Sequence, residues 1–88
     1  MRLDKYLKVS RIIKRRTVAN EACDAAHITV NGRPAKASHD VKAGDVLEIM
    51  FGQRILRVRV LGVAENVGKA DAASLYEVIG TEKTEEKL

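Results

Sequence analysis

The basic residues near the N-terminus have the clearest chemical capacity in this 88-residue chain. Residues 1–16 contain seven lysines and arginines against one acidic residue, Asp4, which gives a charge of 7 − 1 = +6. The rest of the chain contains nine basic and eleven acidic residues, a charge of −2. A cluster of one sign attracts polyanions by Coulomb forces and by releasing their condensed counterions. We therefore expect an anionic partner; the alternative is a solvated charged face. The cluster comprises Arg2, Lys5, Lys8, Arg11, Lys14, Arg15 and Arg16.

Two of these arginines, Arg15 and Arg16, stand directly before a predicted helix over residues 18–26, with Thr17 as its predicted N-cap. The free amides at a helix start bind phosphate, and a guanidinium adds a planar fork of donors that fits the same group. The sequence therefore predicts a phosphate-binding site at the start of this helix. The residues expected to extend the same surface are Arg2, Lys5 and Arg11.

No set of residues has the spacing of a catalytic or metal site. His27 and His39 lie near predicted turns and lack metal-ligand spacing with the carboxylates or with Cys23. The serines lack a nucleophile-elbow context, and no glycine-rich phosphate loop is present. We predict a protein that is not an enzyme and that uses neither a cofactor nor a metal. The single cysteine excludes an internal disulfide and is interpreted as a core residue.

Hydrophobic periodicity predicts two short helices in the first third of the chain. Leu3 and Leu7 share one face of a helix over residues 2–9, and Ile12 and Ile13 are expected to point inward from the connection that follows. The second helix has small residues on one arc, which favours close packing against its neighbours. This arc comprises Val18, Ala19, Ala22, Cys23, Ala25 and Ala26.

Alternating apolar residues and turn signals predict a sheet in the remainder. Strands are expected at residues 28–30, 46–51, 55–61 and 75–79, with turns at Asn31-Gly32 and Gly52-Gln53 and a loop at 65–74. The fold class is α+β, with two short helices on a small, curved, mostly antiparallel sheet of four to five strands. We expect one domain, residues 1–80, followed by a flexible charged tail at 81–88.

Composition narrows the mode of binding and the location. Only Tyr6, Phe51 and Tyr76 are aromatic, so stacking of splayed bases should not dominate and recognition of folded RNA by shape is favoured. No apolar run approaches the roughly 18 residues of a membrane span, and the N-terminus lacks the apolar region of a signal peptide. We expect a cytoplasmic protein without membrane contact.

Taken together, these residues resemble the RNA-binding domain named for ribosomal protein S-four, also called the alpha-L motif. The similarity lies in Arg2-Leu3-Asp4-Lys5-x-Leu7, Ser10-Arg11, Lys14-Arg15-Arg16-Thr17 and Ile28-x-Val30-Asn31-Gly32, and it continues with Lys36 and Lys42-x-Gly44-Asp45. It covers residues 2–45, about half of the chain.

The resemblance implies a set of RNA-facing positions, which are Arg2, Arg11, Lys14, Arg15 and Arg16. Lys5 and Lys36 are predicted to belong to the same RNA-binding surface. Asp4 matches an acidic position of the motif and is expected, like Thr17, to orient its neighbours rather than to contact RNA. The family often has glycine and then a basic residue where this chain has Ala26-His27. Glycine would suit a left-handed helix end at that point.

Within the family, the short chain is similar to the stand-alone heat-shock-protein-fifteen group and to its ribosome-quality-control branch in Gram-positive bacteria. This implies binding to a stalled large ribosomal subunit that carries peptidyl-tRNA, with contacts to large-subunit rRNA and to the P-site tRNA. It also implies the partner RqcH, which brings alanyl-tRNA for untemplated alanine tailing of the stalled chain. We expect a monomer.

Three alternatives remain open on the sequence. The first is a heat-shock-type rescue of dissociated large subunits without tailing. The second is the accessory domain of an RNA-modifying enzyme, whose catalytic part this sequence lacks. The third is a protein adaptor that uses Arg57, Arg59 and the last strand, although a solvated strand face explains those arginines as well.

Overall fold

Two helices come first and a five-stranded sheet follows in the computed structural model, which describes residues 1–64 and 68–83. The helices are α1 (Leu3–Val9), α2 (Arg16–Asp24) and the single-turn α3 (Lys69–Ala72), which a 3-10 turn at Ala73–Leu75 follows. The strands are β1 (Ile28–Val30), β2 (Arg33–Pro34), β3 (Val46–Phe51), β4 (Arg54–Val60) and β5 (Tyr76–Lys83). None of the helices in the described part of the chain has the length and hydropathy of a membrane span.

The sheet is antiparallel throughout, with the strand order β2-β1-β3-β4-β5. Asn31 and Gly32 join β1 to β2 with φ values of 53° and 87°, as a two-residue turn with two left-handed positions requires. The Asn31 side chain also ties this turn to β3, because its Oδ1 accepts from the Val46 amide at 3.0 Å. These elements confirm the predicted α+β class and the predicted turn.

The core lies between the helices and one face of the sheet. Tyr6 is fully buried, and its hydroxyl donates to the Leu75 carbonyl at 2.8 Å, which links α1 to the segment before β5. Burial raises the pKa of the Tyr6 hydroxyl, so it stays a donor. The buried residues around it include Leu3, Leu7, Ala19, Cys23, Ile28, Leu47, Ile49, Val58 and Val60. Burial, with the nearby carboxylates of Asp4 and Asp24, raises the pKa of the Cys23 thiol to about 11, which confirms Cys23 as a core residue and not a reactive thiol.

The buried face of α2 is narrower than the sequence predicts. Ala19 and Cys23 are buried, whereas Val18 is 46% exposed and Ala25 and Ala26 are exposed. The prediction for these three residues was wrong, because the helix ends at Asp24 and only one stripe of it contacts the core. Ile13 is buried, as expected.

Two boundaries also differ from the prediction. β5 continues through residues 81–83, where the sequence suggests a tail, because the backbone of these residues pairs with β4. The short helix α3 lies inside the segment predicted as a loop. Residues 65–67 of that loop and 84–88 of the predicted tail lie outside the described residues.

The end of α2 contains a left-handed alanine. Ala26 has a φ of 61°, its amide donates to the Cys23 carbonyl at 3.0 Å, and the His27 amide donates to the Ala22 carbonyl at 2.9 Å. This bond pair is a Schellman motif, whose left-handed position usually holds glycine. In this protein an alanine occupies the left-handed position that glycine usually holds, at the cost of some backbone strain.

Replacing this alanine should stabilise the protein. We expect Ala26→Gly to raise the free energy of unfolding by about 0.5–1 kcal/mol, because glycine adopts positive φ without a Cβ clash. Urea unfolding measures the change. The control is Ala25→Gly, at a position with φ −85° that favours alanine, and it should lower the free energy of unfolding. Equal effects of the two variants would contradict this account.

Candidate nucleic-acid interface

Asp4 is the centre of a hydrogen-bonded group that joins α1 to α2. Its side chain is 3% exposed, and it accepts from Arg2 Nε at 3.1 Å and from Arg16 Nε at 3.2 Å. Asn20 Nδ2 donates to it at 3.3 Å, and the Lys5 amide donates at 2.8 Å. The side chains of Arg2 and Arg16 are themselves 50% and 45% exposed. One buried carboxylate therefore fixes two arginines whose outer sides reach solvent.

The charge state of Asp4 follows from this geometry. Burial alone would raise the pKa of the carboxyl, but hydrogen bonds from Arg2, Arg16 and Asn20 lower it to about 2. Asp4 is therefore ionised at neutral pH. The two arginines and Asp4 together have a charge of +1. Each guanidinium uses its Nε and Nη2 on Asp4 and has further donors on its exposed side.

The backbone that carries Arg2 and Asp4 is held by residues 37–41. The Leu3 amide donates to the His39 carbonyl at 2.8 Å, and the Asp4 amide donates to the Ala37 carbonyl at 3.1 Å. The α-amino group of Met1 forms an ion pair with Asp40 at 2.6 Å. Lys36 is exposed and directly precedes this segment, so the fold brings it to the end of the molecule that holds Arg2.

The connection between α1 and α2 presents three further basic residues. Arg11, Lys14 and Arg15 are exposed, and they form no ion pair within residues 1–64 and 68–83. Arg11 has a φ of 64°, a left-handed conformation that a residue with a Cβ adopts at some energetic cost. The buried Ile13, whose amide donates to the Leu7 carbonyl at 3.0 Å, anchors the connection. The path of this segment thus directs its charges outward.

Thr17 does not cap α2, so that prediction was wrong. The helix begins at Arg16 with Arg15 in the N-cap position, and the Arg15 side chain makes no capping hydrogen bond. Thr17 instead lines an open cleft together with Asp4, Arg16, Asn20 and Glu21. Because this capping bond is absent, the first amides of α2 are available to an anion.

The structure thus brings most of the predicted site residues to one end of the molecule. Arg2 and Arg16 meet on Asp4, Lys5 is half-buried beside them, and the connection supplies the exposed charges already described. Sequence reasoning missed Asn20, which is not among the predicted site residues. Asn20 lies four residues after Arg16, so the two share one face of the helix. This spacing could have identified Asn20 as a member of the site.

Other charged residues are arranged differently. Arg57 Nε forms an ion pair with Glu48 at 2.7 Å, and Arg59 forms one with Glu77 at 2.7 Å. These cross-strand pairs agree with a solvated strand face. Within residues 1–64 and 68–83, no group of three or more His, Cys, Asp or Glu residues is placed to hold a metal ion.

Fold and interface together define a small RNA-binding domain. The domain model described as the S4 domain matches residues 1–47, more than half of the chain, and the chain belongs to this family. A Streptococcus pneumoniae protein named RQC P-site tRNA stabilizing factor is 54% identical over 88 residues, 100% of both chains. A Bacillus subtilis protein of the same name is 51% identical over 83 residues, 94% of this chain and 96% of that one.

Among solved structures, the trimeric structure of Vibrio cholerae heat shock protein 15 is similar, with a TM-score of 0.82 and 26% identity. The match covers 89% of this chain and 80% of that one. These similarities confirm the expected resemblance to ribosome-quality-control protein P (RqcP) and to the heat-shock-protein-fifteen group.

The Asp4 group should make stability depend on acid pH. The folded-state pKa of about 2 lies below the unfolded value near 3.8, so the contribution of Asp4 is complete above about pH 4. It should be lost as the pH falls from about 4 to about 2, with a total near 2 kcal/mol. Urea unfolding across this range measures it. Asp4→Asn should be less stable at pH 7 and should show a shallower acid dependence. Parallel pH profiles for the two proteins would contradict this role of Asp4.

Proposed function

We propose that this protein is a non-catalytic RNA-binding factor of bacterial ribosome quality control. It binds stalled large ribosomal subunits that carry peptidyl-tRNA, and it contacts large-subunit rRNA and the P-site tRNA. The observation that supports this most directly is the pair of half-exposed arginine side chains, Arg2 before α1 and Arg16 at the start of α2, that Asp4 holds together. The family and the names of the relatives support an RNA-binding, ribosome-associated role.

The basic surface suits a phosphate backbone better than base edges. Arg2 and Arg16 are preorganised by Asp4, so little side-chain entropy remains to be lost when a phosphate binds. Around them, the uncapped amides of α2 add partial positive charge, and Arg11, Lys14 and Arg15 add full charges on exposed side chains. Such a surface follows the shape of folded RNA. The RNA-binding residues that we propose are Arg2, Lys5, Arg11, Lys14, Arg15, Arg16 and Lys36, with Asp4 orienting them.

On the subunit, the protein holds the P-site tRNA while RqcH brings alanyl-tRNA, so that alanine residues are added to the stalled chain. This role places it in the cytoplasm, as a monomer between two RNA partners. The name shared by the relatives, with its reference to P-site tRNA, supports the tRNA contact. The two RNA partners together require more positive surface than a single phosphate contact provides, and the spread of charge from Arg2 to Arg16 is consistent with that requirement.

A second candidate is the rescue of dissociated large subunits that carry peptidyl-tRNA, without alanine tailing. The TM-score of 0.82 to heat shock protein 15 supports it, since the two chains share the same domain fold. Both candidates use the same RNA-binding surface. They differ in whether tailing depends on this protein.

Binding should depend steeply on salt. About five phosphate contacts, each with a slope near −0.8, would reduce affinity for the large subunit by roughly two to three decades for a fourfold rise in salt. Arg15→Ala should weaken binding roughly tenfold and flatten the slope by about 0.8. Co-sedimentation with large subunits at several salt concentrations measures both.

Two variants separate charge from folding. Arg11→Gly should weaken binding while raising the free energy of unfolding, because it relieves the left-handed strain at φ 64°. Arg33→Ala removes an equal charge from exposed β2, outside the cluster, and should change affinity little. A flat salt response, or equal effects of Arg15→Ala and Arg33→Ala, would refute the proposed surface.

Alanine tailing distinguishes the two candidate functions. In bacteria that lack this protein, alanine tails on chains from a stalling reporter should disappear, and the wild-type gene should restore them. A gene with both Arg15→Ala and Arg16→Ala should not restore them. Tails that persist while peptidyl-tRNA accumulates on free large subunits would instead support the rescue function without tailing.

A further inference from the structure

The end of the β3–β4 hairpin exposes an aromatic side chain. Leu47 and Ile49 on β3 are buried at 0% and 1% exposure, whereas Phe51, on the same face two residues further, is 43% exposed. The residues that cover Leu47 and Ile49 on this face of the sheet do not extend over Phe51. Of the three aromatic residues, Tyr6 is fully buried and Tyr76 is half-buried, so Phe51 is the exposed ring of the described residues.

An arginine lies directly across the hairpin from this aromatic residue. Arg54 is the direct cross-strand partner of Phe51, so the two side chains project from the same face of the sheet. Arg54 is exposed, and the backbone of Lys83 is its register partner on the other side. Residues 50–55 contain no acidic side chain. The hairpin end therefore combines an open aromatic face with positive charge.

The hairpin end is separate from the basic surface. The Met50 amide donates to the His27 carbonyl at 2.8 Å, which places the hairpin end beside the C-terminal end of α2. The Asp4 group lies at the N-terminal end of the same helix. A helix of nine residues spans about 12 Å between its first and last residues, so one nucleotide cannot contact both places.

We propose that the hairpin end is a second RNA contact, in which one unpaired base stacks on Phe51 and the adjoining phosphate binds Arg54. The proposal rests on the RNA-binding function above and extends it from backbone contacts to a base contact. Aromatic rings accept any base on their faces, and arginine pairs with the phosphate beside it. A two-fold contact with a second copy of this chain fits poorly, because it would bring two Arg54 side chains together.

The first test compares affinities for large subunits that carry peptidyl-tRNA. Phe51→Leu keeps an apolar side chain but removes the ring, and it should weaken binding about tenfold with the salt slope unchanged. Phe51→Tyr should retain the affinity. Arg54→Ala should weaken binding and flatten the salt slope by about one. Thermal unfolding of each variant verifies that the fold is intact. Equal affinities of Phe51→Leu and the parent would overturn the proposal.

The second test identifies what contacts the hairpin end. Phe51→p-azidophenylalanine is irradiated on the same subunits, and the cross-linked product should be rRNA or tRNA. The matched control is Val63→p-azidophenylalanine, at a side chain that is also 43% exposed but lies outside the hairpin, and it should give little RNA cross-link. Cross-linking of Phe51→p-azidophenylalanine to a ribosomal protein, or its absence while that variant co-sediments, would overturn the second contact and leave the proposed function intact. Failure of the unmodified protein to bind subunits would overturn both.

Discussion

The interface depends on a single buried carboxylate between two arginines. Asp4 is almost inaccessible, yet its partners Arg2 and Arg16 are half-exposed, so the ion pairs connect the interior of the domain to its surface. Without that charge the two guanidinium groups would repel each other, and α1 and α2 would lose their polar link. Removing one partner of a buried pair is costly because it leaves an uncompensated charge. The residue that stabilises the junction of α1 and α2 is therefore the same residue that shapes the surface.

Sequence patterns over a few residues predicted most of the helices, strands and turns. The features that these patterns missed depend on contacts between residues that are distant in the sequence. The Asn31-Gly32 turn and the strands follow from turn chemistry and alternation, both of which act over a few residues. Thr17 resembled an N-cap, but α2 begins earlier, where Arg16 reaches Asp4 across twelve positions of the chain. Asn20 was missed for the same reason, since its partner Asp4 lies in another helix. The charge cluster could be predicted because the positions of the basic and acidic residues along the sequence reveal it.

Backbone strain at two helix ends reflects different demands. Ala26 and Arg11 both have positive φ, near 60°, where glycine would be unstrained. At Ala26 the side chain is an exposed methyl group, so a glycine would remove the strain without removing a charge or a buried group. At Arg11 a glycine would delete one charge of the basic surface. Stability and the proposed phosphate binding thus favour different residues at position 11, as is common where backbone strain lies at a functional surface.

The charge balance of the Asp4 group also sets what it binds. Two arginines and one carboxylate leave a single positive charge, so one phosphate brings the group to neutrality. A second phosphate at the same place would meet no remaining net positive charge of this group and would be repelled by the first phosphate. In the proposed complex the group therefore suits one defined position on an RNA backbone. Arg11, Lys14 and Arg15 have no carboxylate partner among the described residues, and we propose that they attract the rest of the strand less selectively. On this proposal, positional selectivity comes from the paired arginines, and long-range attraction comes from the basic residues without a carboxylate partner.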